Sequence, residues 1–595
     1  MTSICLADIL SNTGSGSLSP TAICLLVVAI GLALAFEFVN GFHDTANAVA
    51  TVIYTNAMRP WVAVIWSGCF NLIGVLCSSG AIAYTIMALL PAEMVTHVGS
   101  AAGFAMVFSI LISAIIWNLG TWYLGLPASS THTLTGAIVG VGLANSMFIA
   151  GHSFGDGVNW DDVRKVFITL LVSPVVGFAG AGLLILIGRK IIHWGLVVAA
   201  VAATGVVLAG RSAGYGSAFG HALLVSPWIW SAVGITLVIR VLPWKAMARA
   251  PAGKSAPPPA VRATLIATCT GVSFFHGSND GQKGMGLVLL ILIGIVPGMY
   301  ALNLETSPAQ IHHMQAVAAS VDTGFGGASK AVAFKGTEAV DELQTFLKGK
   351  REFDSRTVPA MAAVAHDLST TFGRTKSIGD LPVVERENLR NELYLSSAAI
   401  TKLIKDKRIT DAGQIQLLNT YKADCLDPAT HNIPFWVKLA TALALGLGTM
   451  IGWKRIVTTV GEKIGKEHLT YAQGASAELV AAATIAAAEL YHMPVSTTHV
   501  LSSGVAGTMA ASGSGVQMKT VRNLLLAWVL TLPVCVLLGA ALFAAGLQIA
   551  LNNLIPMTII AVAVVGTGLV IWRLRTRSRL PAKKAPARFL VAQPG

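Results

Sequence analysis

Long apolar runs separated by short polar turns cover most of this chain. They fall at 21–39, 61–90, 101–124, 166–188, 191–210, 227–242, 263–275, 284–302, 435–453, 471–491, 521–547 and 555–572. A helix that crosses a bilayer needs about 20 predominantly apolar residues, so the pattern predicts about 12 transmembrane segments. Two more runs, 127–144 and 494–511, are apolar but rich in Gly, Ser and Thr. Hydroxyls and glycines at membrane depth suit re-entrant or broken helices better than lipid-facing spans.

One stretch breaks the pattern. Between residues 301 and 431 lie 16 of the 28 acidic residues and 15 of the 41 bases, with amphipathic stretches at 340–347 and 386–404. This predicts a small, mainly helical soluble insertion at 305–430. Elsewhere charge is scarce: over the whole chain 54% of residues are hydrophobic and 12% charged, and mean hydropathy is +0.68. Such a composition excludes an ordinary soluble enzyme and a disordered chain. The net charge of +13 belongs to the apolar part. It reads as cytoplasmic loops obeying the positive-inside rule rather than as a nucleic-acid surface. The 7 Cys include no C-x-x-C pair, which argues against a disulfide scaffold or a zinc site. No base precedes Arg59, so the first apolar run reads as a span and not as a cleaved leader.

The decisive feature is internal duplication. The block Asn40-Gly41-Phe42-His43-Asp44-Thr45-Ala46-Asn47 has a counterpart in His276-Gly277-Ser278-Asn279-Asp280-Gly281-Gln282-Lys283, with Asp44 and Asp280 in register. Farther on, Leu126-Pro127-Ala128-Ser129-Ser130-Thr131-His132 is matched by Met493-Pro494-Val495-Ser496-Thr497-Thr498-His499. After each comes Val-Arg and an apolar run interrupted by Pro174 or Pro533. Three paired blocks in one order predict two homologous halves. In transporters such halves pack about a pseudo-two-fold axis, with the binding site near the bilayer midplane.

Each Pro-Ser/Thr tip offers hydroxyls, an imidazole and the free N–H groups of a helix start, which together favour an anion. An Asp beside it repels a bare anion, but accepts the hydrogen of a protonated oxyanion or holds a cation that travels with it. Phosphate retains a proton near neutral pH, since phosphoesters have a second ionisation near about 6. Sulfate has none left to give. Asp44 and Asp280 therefore favour phosphate. A Ser/Thr run alone is more often helix-packing glue. Duplication beside Pro and His weakens that reading, and an Asp in an apolar span has no comfortable structural role. His43-Asp44 lacks further ligands at the spacing of a metal hydrolase, and no enzyme is expected. Glu37, whose register partner is Ser273, and Glu478 and Glu489 are further acids in apolar runs, open to a proton-carrying or a structural role. Lys283 either neutralises substrate charge or snorkels toward water.

At these residues the chain resembles the inorganic phosphate transporter family of the Pit type. The family's duplicated G-A-N-D-x-x-N-A-like signature stands here as the Asp44 and Asp280 blocks, and N-G-F-H-D-T-A-N-A with H-G-x-N-D-G-Q-K-G is similar to its bacterial low-affinity PitA-like branch. Residues 446–465 and Tyr471-Ala472-Gln473-Gly474 carry the likeness into the second half. The resemblance implies proton-driven symport of phosphate as a neutral complex with a divalent metal such as Mg, or sodium coupling as in other branches. His43 stands where the family has Asn, which suits the proton-coupled branch.

The expected protein is an all-α polytopic membrane protein of the inner membrane, with two inverted-topology repeats and broken or re-entrant helices. Residues 21–188 form the first repeat, 189–261 additional spans and a basic Pro-rich linker, 262–304 and 431–548 the second repeat around the insertion, and 549–595 an extra span with a basic tail. Ser129, Ser130, Thr131, Ser496, Thr497 and Thr498 are expected to hold phosphate oxygens, with Asn47 and Asn279 orienting the acids. Asp44 and Asp280, with His43, His132 and His499, are expected to carry the coupling proton or ion, and the two Asp any metal; Glu37, Lys283 and Glu478 are secondary candidates. The expected partners are phosphate and the lipid bilayer, with no nucleic acid and no resident cofactor, and with a homodimer as the assembly to test. A sodium-coupled or sulfate carrier, or a phosphate-sensing receptor, is the alternative.

Overall fold

A computed structural model describes residues 20–90, 101–148, 154–155, 158–190, 244–247, 256–296, 300–325, 334, 337–347 and 356–552. The predicted spans at 191–210, 227–242 and 555–572 lie outside the described residues. Within them the regular structure is helical, with one isolated bridge between Gly465 and Val516.

The first half contributes α1 (Pro20–Tyr54), α2 (Pro60–Cys77), α3 (Ala81–Met87), α4 (Ala101–Leu124), α5 (Ser130–Phe148) and α6 (Trp160–Lys190). The second opens with α7 (Pro259–Ile295). After α8 (Pro308–Gly324), α9 (Glu338–Leu347), α10 (Thr357–Arg374), α11 (Val383–Lys405) and α12 (Ala412–Tyr421), it resumes with α13 (Phe435–Met450), α14 (Tyr471–Leu490), α15 (Thr497–Ser512) and α16 (Met518–Leu551). Five helices among the described residues are long and apolar enough to cross a membrane, six if the pair Ala412–Thr430 and Phe435–Met450, bent by 79°, is one span.

Several predicted boundaries move. The runs 263–275 and 284–302 are not two spans: α7 passes through both and carries the polar block at its centre. In the same way α1 runs through the first block without a break. A helix satisfies its own backbone, so polar side chains within it need only partners in the protein interior, not an interruption. The run 61–90, by contrast, is split at Ser78–Gly80: α2 ends at Cys77, and Gly80, at φ 84, stands at the start of α3.

Equivalent helices exchange partners. Helix α1 packs on α13 and its counterpart α7 on α2; α5 packs on α16 and α15 on α6; α4 lies against α16 and α14 against α6. Two contacts map onto themselves, α1 with α7 and α2 with α13. Glu37 of α1 abuts Gly284 while Asp44, farther along α1, faces the earlier His276 of α7, so these two helices run antiparallel.

Close approach depends on glycine at matched positions. A Cβ at Gly41 would stand 2.3 Å from the Leu445 carbonyl, and one at its counterpart Gly277 2.1 Å from the Asn71 carbonyl. The turns that lead into the tips are also alike. Gly125 N–H bonds the Trp122 carbonyl and Leu126 N–H that of Thr121; His492 and Met493 repeat this with Glu489 and Ala488. Both turns need a left-handed residue, Gly125 at φ 69 and His492 at φ 56.

Helices α8 to α12, with residues 422–430, enclose a separate core that includes Leu343, Met361, Phe372, Leu393 and Tyr421. The amphipathic stretches predicted at 340–347 and 386–404 fall in α9 and α11.

Candidate functional site

Helical spacing builds the site. Glu37, Asn40 and Asp44 recur on one face of α1, as His276, Asp280 and Lys283 do on α7. The two stripes meet at the antiparallel crossing. Asp44 is 1% exposed and Asp280 and Lys283 0%, so the charges lie inside protein and not against lipid.

The two tips close over this crossing, each on the acid of the opposite half. Thr498 Oγ1, at the start of α15, donates to Asp44 Oδ1. Ser130 Oγ, at the start of α5, donates to Asp280 Oδ2 over 3.4 Å. Thr131 Oγ1 reaches across to the Val495 carbonyl at 3.2 Å. Ser129 and Ser496 cap their helices, their oxygens accepting from the N–H of His132 at 3.3 Å and of His499 at 3.2 Å. Thr497 is buried at the same tip. Two helix N-termini, with their positive ends, are thus brought onto two carboxylates.

The remaining expected residues divide. His43 is buried, with Nδ1 3.5 Å from Asp44 Oδ1 and Nε2 3.1 Å from Thr121 Oγ1. His132 and His499 lie ring beside ring, centroids 4.7 Å apart, and His499 stacks on Trp528 at 4.2 Å. Asn279 Nδ2 donates to the Met493 carbonyl at 3.4 Å. Asn47 lies in α1, but its side chain is outside the described residues. Glu37 is buried against Gly284, its Oε1 bonded by Asn40 at 3.4 Å. Glu478 lies apart from the acid pair and accepts from Thr268. The snorkelling alternative for Lys283 is overturned: its Nζ is buried 2.8 Å from Asp280 Oδ1 and donates to Ser130 Oγ at 3.3 Å.

His276 opens the second block, and nothing in the duplication marks it as a site residue. Its Nε2 stands 3.8 Å from Asp44 Oδ2 and 3.6 Å from Asp280 Oδ2, and the three side chains could together hold a cation. Its Nδ1 faces Asn71 Oδ1 at 2.9 Å, while Asn71 Nδ2 donates to Thr449 Oγ1 at 3.0 Å. An amide whose nitrogen is committed to Thr449 presents its oxygen to His276, so Nδ1 is the donor. With Nδ1 so engaged, Nε2 is the ring atom turned toward both carboxylates. Its spacing of four residues before Asp280 was the available signal. Its register partner is Asn40, so the repeat concealed it.

The pseudo-symmetry also fails at the flanks. Phe42 packs edge-on against Trp122, centroids 5.1 Å apart. The residues in register with them, Ser278 and Glu489, are joined by a hydrogen bond from Ser278 Oγ to Glu489 Oε1. One flank is aromatic and the other polar.

Comparison with known proteins places this arrangement. The profile of the phosphate transporter family matches residues 40–539, from the first block to the helix after the second tip. The chain is 41% identical over 531 residues to the low-affinity inorganic phosphate transporter PitA of Escherichia coli (strain K12), covering 88% of this chain and 97% of that protein. PitB of the same strain is 39% identical over 529 residues, with the same coverage of 88% and 97%. A solved structure titled the sodium-dependent phosphate transporter has the same fold at TM-score 0.51, with 18% identity, covering 88% of this chain and 98% of that one. The match embraces both halves, both acids and both tips, and the relatives are named as transporters; this chain belongs to the phosphate transporter family and is not an enzyme.

Proposed function

We propose that this protein imports inorganic phosphate across the inner membrane by proton symport, carrying it as a neutral complex with a divalent metal such as magnesium. The observation that carries the reading is the meeting of two hydroxyl-bearing helix N-termini with the cluster of His276 Nε2, Asp44 Oδ2 and Asp280 Oδ2. Two carboxylates converging in a buried space repel one another unless a proton or cation lies among them, and the Lys283 ammonium beside Asp280 offsets one of the two charges. The helix starts supply the complementary attraction for an oxyanion. Co-ion and anion therefore stabilise each other's binding, which is the thermodynamic requirement for symport.

In this reading Ser130, Thr131, Thr497 and Thr498 hold phosphate oxygens, while Ser129 and Ser496 keep the two helix starts in place. Asp44 and Asp280 accept the proton of the oxyanion or bind the metal, with Asn47 and Asn279 beside them. His43, His132 and His499 are the further proton-carrying candidates, and Glu37 and Glu478 are secondary ones. The exchange of helix partners and the antiparallel crossing of α1 and α7 support two inverted repeats about the site. On this view the 305–430 segment is a soluble insertion, and a homodimer is the assembly to test by mass measurement in detergent.

Sodium coupling is the second reading, favoured by the name of the solved structure with the same fold. Uptake of radiolabelled phosphate into proteoliposomes separates them, under imposed proton or sodium gradients, with and without magnesium, for wild type, Asp44→Asn and Asp280→Asn. Proton-driven, magnesium-dependent uptake lost in both variants supports symport as proposed. Uptake indifferent to both gradients, or unchanged in both variants, overturns it. Equal competition by sulfate removes the argument from the protonated oxyanion.

A further inference from the structure

Charge outside the site is divided unevenly between the two ends of the helix bundle. At one end α1 finishes at Tyr54, whose ring lies against Gly461. Arg262, near the start of α7, donates from Nε to the Ala57 carbonyl at 2.9 Å, and the bridge between Gly465 and Val516 brings in the start of α16. These contacts gather the exposed bases Arg59, Arg262, Arg455, Lys466, Lys519 and Arg522, with Glu462 and Glu467 as the acids in the same segments. Helix α14 leads from this end, where Gly474 abuts Thr51, toward the opposite one, where the His492 carbonyl accepts from Thr85 Oγ1 at 3.0 Å. There α6 begins with Asp161 and Asp162, paired with Lys405 and Lys165. An excess of bases at one end marks it as the cytoplasmic one.

At the basic end one cation is set among exposed apolar groups. Arg455 is exposed, and its Nη1 donates to the Tyr123 carbonyl, at the close of α4, at 2.7 Å. Its Cζ stands 5.4 Å from the centre of the Trp122 ring and 4.8 Å from that of Tyr123. Beside it, Lys454 Nζ lies 5.8 Å from the centre of the Trp453 ring. Tyr123, Leu124 and Ile451 are 64%, 69% and 56% exposed, and α4 is long and apolar enough to span a membrane. Apolar surface at the end of a span meets acyl chains, and aromatic rings with cations over them sit at headgroup depth. The Tyr123 carbonyl engages one of the five guanidinium N–H groups, and no ion pair among the described residues includes Arg455. The planar fork therefore has donors left for an anion. We propose that Arg455, with Lys454 beside it, binds the phosphodiester headgroup of an anionic phospholipid of the cytoplasmic leaflet, whose chains run along Leu124 and Ile451. The exposed apolar neighbours favour a lipid over a free phosphate ion, which would leave that surface bare. This surface lies apart from the acid pair, and its assignment does not rest on the transport reading.

The test uses purified full-length protein in detergent as wild type, Arg455→Gln and Lys165→Gln, the last removing one base at the opposite end. Thermal unfolding is followed while dioleoylphosphatidylglycerol, dioleoylphosphatidylcholine or sodium phosphate is titrated in at one ionic strength. Wild type gains a saturable rise in Tm with phosphatidylglycerol beyond any with phosphatidylcholine. One base at an anionic lipid surface changes affinity by about fivefold, so Arg455→Gln needs about fivefold more phosphatidylglycerol for the half-maximal rise, whereas Lys165→Gln keeps the wild-type midpoint. No extra rise in wild type, an unchanged midpoint in Arg455→Gln, or an equal change in Lys165→Gln overturns the proposal. So does a rise with sodium phosphate that matches the lipid effect and is lost in Arg455→Gln, because the ligand is then a free anion. If Arg455→Gln does not fold, Lys454→Gln decides: weaker phosphatidylglycerol binding than in Lys165→Gln supports the site, and equal binding in the two overturns it.

Discussion

Thr498 of the second tip donates its hydroxyl hydrogen to Asp44, a residue more than four hundred positions earlier on a helix of the other half. Asp280 in turn takes a hydroxyl hydrogen from Ser130 of the first tip. This crossing makes the candidate site a property of the pair of halves.

Thr498→Val keeps the shape of the side chain and removes the donor. A hydrogen bond to a charged group contributes about 1.5–3 kcal/mol, so we expect initial phosphate uptake in proteoliposomes to fall about tenfold or more. Thr498→Ser, which retains the hydroxyl, should recover most of the rate. Equal loss in both would assign the residue to packing alone.

The imidazole of His276 is aimed by Asn71, itself held by Thr449. Asn71→Leu leaves the ring in place without that hydrogen bond. We expect a rise in the co-ion concentration required for half-maximal uptake with little change in the maximal rate, whereas His276→Asn should depress both. Uptake measured across a series of gradients distinguishes the two.

Gly41→Ala and Gly277→Ala both drive a methyl group into a backbone carbonyl, at 2.3 and 2.1 Å. Backbone on both sides cannot swing away as a flexible side chain would, and each substitution should destabilise by about 1–3 kcal/mol. Gly120→Ala is the control, because nothing lies within 4 Å of its Cβ position. Thermal unfolding in detergent should show lowered midpoints for the first two and none for the third.

The separate helical core carries its own pH dependence. Burial, and to a smaller extent the nearby Asp367, push the Glu392 carboxyl up to about 7. A folded-state value above the unfolded one means that the folded form binds the proton more tightly. The penalty of ionising Glu392 is therefore absent below the ordinary carboxyl value of 4.5, grows as pH rises and is complete above about 7. Hydrogen exchange of the full-length protein should show α11 opening more readily at pH 8 than at pH 5, and Glu392→Gln should flatten that difference.

The extent to which the site could be read beforehand follows from what repeats in the chain. Asp44 and Asp280, and the hydroxyl tips, recur in matching blocks, so the sequence alone singles them out as candidates. His276, Asn71 and Thr121 are not singled out in this way, because each owes its role to a neighbour distant in sequence. His276 is also paired by the repeat with Asn40, a residue of different chemistry. For Lys283 the sequence allows two roles, since no local pattern tells a lysine that snorkels from one that turns inward. The expectation of separate spans on either side of the Asp280 block failed for a related reason. Hydropathy registers the polar side chains and cannot register the partners that let α7 continue through them.

Membrane residence, the duplicated blocks and the family likeness were all legible in the order of residues, because each depends on composition or on local pattern. The crossing of tips onto opposite acids, the convergence of His276 with both carboxylates and the pairing of Lys283 with Asp280 were decided by packing. Hydrophobic patterning selects which faces turn inward, but charge pairing in a buried space depends on distances between helices far apart in the chain. Those distances are set where Gly41 and Gly277 let the helices of the two halves approach.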